Sequence, residues 1–304
     1  MNERDIQRIL PDWTLSYTIS ESENEKLYMA EKTSGDVTKY SAVRAIWIPG
    51  NNADAEKKKA EMGEEAYRRY VSSLVKKQKQ DFNFLRGFCS KPGIVNLREL
   101  YDISNSDDTA YLLVARYDYI QPLKEYIREN GLTVGAAVKL GMDVCRGLEQ
   151  LKKLDYKHLN LTPDCIYFDG KDRFRIDGID TDATELRRVL DKNDCKQMAF
   201  YAPELDFSKY ISYNTDTYSL GLILYTLLND GMLPFEKEKG FEGAVRHRLS
   251  GAKIPAPAYN GGRLNDIILK SISFDPKKRY ATPYMMRQDL EEVYNKLAEQ
   301  VKGQ

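Results

Sequence analysis

Thr215 to Asn229, TDTYSLGLILYTLLN, is apolar nearly all round. A helix without a polar face does not sit on a surface, so this stretch predicts a central buried helix. Such a helix needs packing partners on every side, and the sequence around it offers them. Leu123 to Glu129 reads as a short helix. Thr133 caps a longer one that carries Val134, Ala137, Val138, Gly141, Val144, Cys145, Leu148 and Leu151 on one face. Gly240 to Leu249 and Leu264 to Ser273 are further helices. Thr282 then Pro283 place an N-cap before a proline at the first helical position of a last helix, which reaches about Glu299.

The first third has a different pattern. Trp13 to Leu27 and Leu27 to Trp47 read as strands rich in β-branched and aromatic residues, turning at Ser34-Gly35-Asp36. Pro49 to Met62, with its Lys57-Lys58-Lys59 run, reads as a solvated loop leading into a helix. That helix spans Glu64 to Phe88, with Tyr67, Val71, Leu74, Phe82, Leu85 and Phe88 at helical spacing, and Pro92-Gly93 ends it. Ile94 to Leu97 and Ala110 to Arg116 are further short strands. Five strands and one long helix form a unit of about 115 residues, a size that folds on its own.

Composition narrows the function classes. The chain has 304 residues, 42% hydrophobic and 30% charged, as expected of a folded soluble protein. Lys+Arg and Asp+Glu are both 46, so charge does not point to nucleic acid. No apolar run is long enough to span a bilayer, and residues 1–16 lack the apolar core of a signal peptide. The expected location is cytoplasmic. Cys89, Cys145, Cys165 and Cys195 have no C-x-x-C spacing and read as buried thiols.

Several short motifs fall in a telling order. Ala202-Pro203-Glu204 matches A-P-E. Asp216 to Gly221 matches D-x-x-S-L-G at the start of the buried helix. Leu233-Pro234-Phe235 carries a P-F turn, and Asp275-Pro276-Lys277-Lys278-Arg279 matches D-P-x-x-R. Lys157 to Phe168, KHLNLTPDCIYF, resembles the catalytic loop H-R-D-L-x-x-x-N followed by a strand. Over roughly Trp13 to Glu299 the chain resembles eukaryotic-like serine/threonine protein kinases, in particular a bacterial group that shares the P-x-W opening Pro11-Asp12-Trp13. The resemblance implies an α+β, bilobal fold: a small β-rich N-lobe with one long helix over residues 1–118, and a larger helical C-lobe over 119–304. It also implies structural roles for His158, Ile179, Glu204, Asp216 and Arg279, with a buried Glu204–Arg279 ion pair.

The positions that carry catalysis in this family are altered. The Gly-rich loop falls on Ser20-Glu21-Ser22-Glu23-Asn24-Glu25, so Ser20, Ser22 and Glu25 replace the three glycines. Glycine lets backbone approach phosphate closely, and glutamates repel it. The same residues also read as an ordinary acidic turn. The strand lysine falls on Arg44, and the helix glutamate on Asp81; the two would pair, or stand as separate surface charges. The catalytic base falls on Asn160, whose amide takes no proton from a hydroxyl. The preceding arginine falls on Leu159, the loop lysine on Thr162, and the metal-binding asparagine on Cys165. D-F-G falls on Gly178-Ile179-Asp180, or one residue earlier with Asp177 in the metal position. Tyr167 and Tyr117 would narrow the adenine pocket, or be core tyrosines.

The resemblance therefore implies a pseudokinase: a regulatory or scaffolding module that binds protein partners, with no cofactor, no metal, no nucleic acid and no membrane. The long helix Glu64–Phe88 and the groove between lobes are the surfaces such folds offer. Two other readings stand beside it. One is an atypical nucleotide-dependent transferase or weak kinase that uses ATP with Mg²⁺ held by Asp177 or Asp180. The other is a purely structural tether.

Overall fold

A computed structural model describes residues 2–50, 53–179, 194–205, 211–259 and 261–302. Backbone contacts group the chain into two compact units, one of Met1–Ser90 with Val95–Gln121, the other of Lys91–Ile94 with Pro122–Gln304.

The first unit is built on an antiparallel sheet of β1 (Thr14–Glu21), β2 (Glu25–Ser34), β3 (Val37–Ile48), β4 (Leu97–Ser104) and β5 (Tyr111–Asp118), in the order β1-β2-β3-β5-β4. The Ser34↔Val37 pairing at the expected turn sets the β2–β3 register, which continues without a slip to Glu25↔Ile46. Tyr28, Ala30, Val43, Ala45, Leu112 and Val114 form one buried cluster with Ile6 and Leu10. Ile6 belongs to a short N-terminal helix, α1 (Glu3–Ile9), which the sequence did not announce, and Leu10 is its C-cap. Its start is secured by a capping box between Asn2 and Asp5. Helix α3 (Glu64–Arg86) buries Tyr67, Val71, Val75, Phe82 and Leu85, a stripe at the expected spacing.

Two expectations for this unit need correcting. The charged stretch before α3 is not a loop: Ala53–Met62 is helix α2. Alanine, glutamate and lysine are strong helix formers and need no apolar stripe to be helical. Lys57 pairs with Glu61 one turn on at 4.0 Å, and the Lys58 ammonium lies 4.0 Å from the Tyr70 ring centroid. Gly63, at φ 77°, separates α2 from α3 in a conformation a side chain would resist. The strand expected at Ile94 instead starts at Leu97, while Ile94 makes a single parallel bridge to Ile176 within the second unit.

The second unit is mainly helical. It contains α4 (Leu123–Asn130), α5 (Val134–Lys152), α6 (Cys195–Met198), α7 (Asn214–Leu227), α8 (Glu236–Leu249), α9 (Arg263–Ser271) and α10 (Pro283–Lys302), with a small hairpin of β6 (Ile166–Phe168) and β7 (Phe174–Ile176). Thr133 caps α5 by accepting the Ala136 N–H at 3.1 Å. Every residue of α7 from Thr215 to Thr226 is buried, as the all-round apolar sequence requires. Helix α7 packs against α5, α9 and α10, and α5 packs along α10. Helix α8 starts earlier than its sequence suggests and is interrupted at Gly240. Among the described residues no helix is long and apolar enough to cross a membrane.

Candidate functional site

The loop Lys157–Phe168 is held by the buried helix. Asp216, in the first turn of α7, accepts the His158 N–H at 2.9 Å through one carboxylate oxygen and the Leu159 N–H at 2.8 Å through the other. Burial raises the Asp216 pKa, and the His158 ring and the two amides oppose that rise. Leu159 sits at φ 58°, a left-handed conformation costly for leucine, and these bonds hold it there. His158 is fully buried, and its Nε2 lies 2.8 Å from the Asp177 carbonyl oxygen. A carbonyl only accepts, so Nε2 carries the proton. The Asp177 N–H donates to the Cys165 carbonyl at 2.9 Å, which ties the loop to the residues following β7.

This bonding brings several of the singled-out residues into one cluster. The Cys165 thiol donates to the Asn160 carbonyl at 3.4 Å and lies 3.5 Å from the Thr162 hydroxyl. Burial pushes its pKa up, so it is a neutral thiol at ordinary pH. Gly178 sits at φ 73°, and a Cβ built there would lie 2.9 Å from Cys165 Sγ and 3.9 Å from His158 Cε1. Cys165 and Gly178 are thus direct neighbours, with sulfur filling the space beside the glycine. Ile179 is buried, as a packing residue should be, and so is Tyr167, which pairs with Arg175 across the hairpin. Asp180 lies outside the described residues.

Magnesium prefers hard oxygen ligands in octahedral array. A neutral thiol and a glycine supply none, so Cys165 and Gly178 do not fit that ion. Among the described residues no group of three or more His, Cys, Asp or Glu side chains is placed to hold a metal.

In the first unit, Ser20 lies one residue before the end of β1, opposite Leu27. Ser22 closes the turn to β2, its N–H donating to the Glu25 carbonyl at 2.8 Å, and Lys26 pairs with Glu21 at 3.0 Å. Glu21 to Glu25 thus form a tight acidic turn. Glu25 Oε1 lies 3.1 Å from Arg44 Nε. The same guanidinium lies 5.4 Å from the Tyr117 ring centroid, and its NH1 is 3.5 Å from the phenol oxygen. Tyr117 is fully buried. Asp81 accepts from Lys77 at 2.6 Å within α3. The sequence left Arg44 and Asp81 either paired or as separate surface charges; in the structure Arg44 has an ion pair with Glu25 and Asp81 one with Lys77, and neither side chain is more than 14% exposed. The Glu25 contact was missed in the sequence, yet a signal existed. Counting back from the Ser34↔Val37 turn puts Glu25 opposite Ile46, diagonal to Arg44 on the same sheet face.

The remaining named pair lies in the second unit. Arg279 donates to both oxygens of Glu204 at 2.8 Å, and the Thr215 hydroxyl donates to the same carboxylate at 2.8 Å. Arg279 also donates to the Ser273 carbonyl at 2.7 Å. Both partners are buried.

A five-stranded antiparallel sheet with a long helix, a helical unit around a buried helix, and the A-P-E glutamate tied to the D-P-x-x-R arginine define a protein-kinase fold. The profile of the protein tyrosine and serine/threonine kinase family matches residues 66–288, and the chain belongs to that family. Three similar proteins are named as serine/threonine-protein kinases, one of them as probable. A probable serine/threonine-protein kinase of Clostridium perfringens is 30% identical over 211 residues, covering 67% of this chain and 30% of the relative. The serine/threonine-protein kinase PrkC of Bacillus subtilis is 26% identical over 206 residues, covering 66% and 31%. PknB of Mycobacterium tuberculosis is 24% identical over 211 residues, covering 64% and 33%. The chain therefore matches about a third of the length of these relatives.

Proposed function

We propose that this kinase-family chain does not transfer phosphoryl groups and does not use ATP. It acts as a regulatory or scaffolding module that binds a protein partner in the cytoplasm. The observation that carries this reading is the Glu25–Arg44 pair, 3.1 Å apart, with the Arg44 side chain only 12% exposed. By the resemblance, Arg44 stands where a kinase places its phosphate-binding lysine, and Glu25 where it places a glycine. An incoming phosphate has to displace a carboxylate of the same chain to reach the cation. Phosphoryl transfer depends on positioning and charge stabilisation. The other altered positions point the same way. Asn160 offers an amide in place of a proton acceptor, and Cys165 and Gly178 offer no oxygen to Mg²⁺. Balanced charge favours a protein partner over nucleic acid. Helix α3 is the surface we assign to it, since its outward face is polar and unbroken over its length.

The test is thermal. The unfolding midpoint of the full chain, measured with millimolar ATP and either Mg²⁺ or Mn²⁺, should not move. Specific binding at a hundredfold excess over Kd would add about 2.7 kcal/mol, a rise of several degrees, and that rise would sink the proposal. A second expected result concerns Asn160→Asp. Incubated with γ-labelled ATP and a generic protein substrate, this variant should transfer no label, because the phosphate and metal contacts are still missing. Transfer by that single variant would show the site to be nearly intact.

A further inference from the structure

The sheet of the first unit has a second face, turned away from Arg44. Residues along β2 alternate between the two faces. Glu25 and Leu27 share the face of Arg44, while Lys26 and Tyr28 pair with Ala45 and Val43 on the face that α1 covers. On this second face, within the first unit, lies a cavity of about 580 Å³. That volume is in the range of small-molecule sites. Its inner wall is aromatic: Tyr28 is 3% exposed, and Trp47 packs against the buried cluster beneath α1. Its outer wall is charged, with Glu3 and Arg4 from α1, Glu21 and Glu23 from the β1–β2 turn, and Lys26 from β2.

The bonding around the cavity decides which charge it favours. Lys26 pairs with Glu21 at 3.0 Å, so those two offset each other. Glu3 and Glu23 then face Arg4, a surplus of one negative charge. The Tyr28 hydroxyl donates to Glu3 at 3.0 Å and fixes that carboxylate at the cavity. Two amides at the start of α1 are already used by the helix cap. Arg4 N–H donates to the Asn2 side chain at 3.0 Å, and Asn2 N–H to Asp5 at 2.8 Å. Neither is left for an anion. Among the described residues the carboxylates are not grouped to hold a metal ion either. Carboxylates beside an indole ring suit an organic cation instead. Its charge meets the carboxylates through charge-assisted hydrogen bonds, and its stem lies on the ring face.

We propose that this cavity binds a small aliphatic amine in its cationic form, with Glu3 and Glu23 taking the ammonium charge and Trp47 the apolar stem. The site lies on the sheet face away from Arg44, so the inference does not rest on the proposed function, and either can fail alone.

Tryptophan fluorescence of the full chain tests it, because the chain has two tryptophans and one of them, Trp47, lines the cavity. Titration with 1,4-diaminobutane or spermidine into the millimolar range should give a saturable change in emission. 1,4-Butanediol, the uncharged analogue, and potassium chloride at matched ionic strength should give none. Glu23→Gln removes one exposed carboxylate and should leave the unfolding midpoint in place. It should weaken amine binding about tenfold or more, as expected for losing one bond to a charged group. Calorimetric titration of the same two proteins gives the affinities independently of the fluorophore. Absence of a saturable response to both amines, an equal response to butanediol or salt, or unchanged affinity in Glu23→Gln would overturn the proposal. Saturable binding of inorganic phosphate in place of the amines would overturn it as well.

Discussion

Replacing Arg279 with alanine will cost about 3–5 kcal/mol of folding stability, the largest effect expected of any single substitution in this chain. The physical reason is the charge left behind. Glu204 accepts two bonds from Arg279 at 2.8 Å and one from Thr215 at 2.8 Å, in a buried setting. Removal of the guanidinium leaves a carboxylate with a single hydroxyl donor in a setting only 10% exposed. The same substitution frees the Ser273 and Phe274 carbonyls, which accept from Arg279 at 2.7 and 3.1 Å. Urea unfolding at neutral pH measures the loss as a shift in midpoint with unchanged slope. Glu204→Ala should cost a similar amount. The double variant should cost clearly less than the sum, because one change removes the unpaired charge that the other creates. A loss below about 1 kcal/mol in either single variant would mean the pair is solvated and contributes little.

Asp216→Ala will be the next most damaging, at about 2–5 kcal/mol. Its two oxygens take the His158 and Leu159 amides at 2.9 and 2.8 Å, and alanine leaves both buried donors without an acceptor, at about 1–3 kcal/mol each. The damage should spread along the loop. Leu159 at φ 58° loses the bonds that hold its left-handed conformation, and the His158 ring loses its fixed approach to the Asp177 carbonyl. Asp216→Asn should fall between, since an amide offers one oxygen where two donors arrive. Urea midpoints rank the three proteins. Hydrogen exchange at the His158 and Leu159 amides checks the cause, and retention of slow exchange there in Asp216→Ala would rule out this account.

The legible parts of the fold were those written in local pattern. Helix α7 was visible because every face of it is apolar, and α3 and α5 because their buried residues recur at helical spacing. The β2–β3 hairpin was visible from its turn. Helix α2 was misread because its helicity comes from backbone propensity and surface charge pairs, which leave no apolar stripe. Helix α1 was passed over because its anchoring rests on two side chains, Ile6 and Leu10, and its capping box is short.

The site divides in the same way. The residue types at the family's positions (Asn160, Thr162, Cys165, Gly178 and Arg44) can be read from the sequence, and so can what each side chain is able to donate, accept or coordinate. The motifs also singled out Glu204 and Arg279, residues that meet only because the chain folds back between them. The partners of the remaining groups were decided by the tertiary structure alone. Arg44 takes Glu25 because strand register places them diagonally on one sheet face. Cys165 and Gly178 touch because the Cys165 carbonyl binds the Asp177 amide and draws the two segments together. The buried Arg248 of α8 gave no signal in the sequence, because three of its four acceptors are main-chain carbonyls, which every residue has. Sequence determines which groups the chain brings; the distances that turn a cation into a partner for a carboxylate, or for four oxygen acceptors, exist only once the helices and strands have packed.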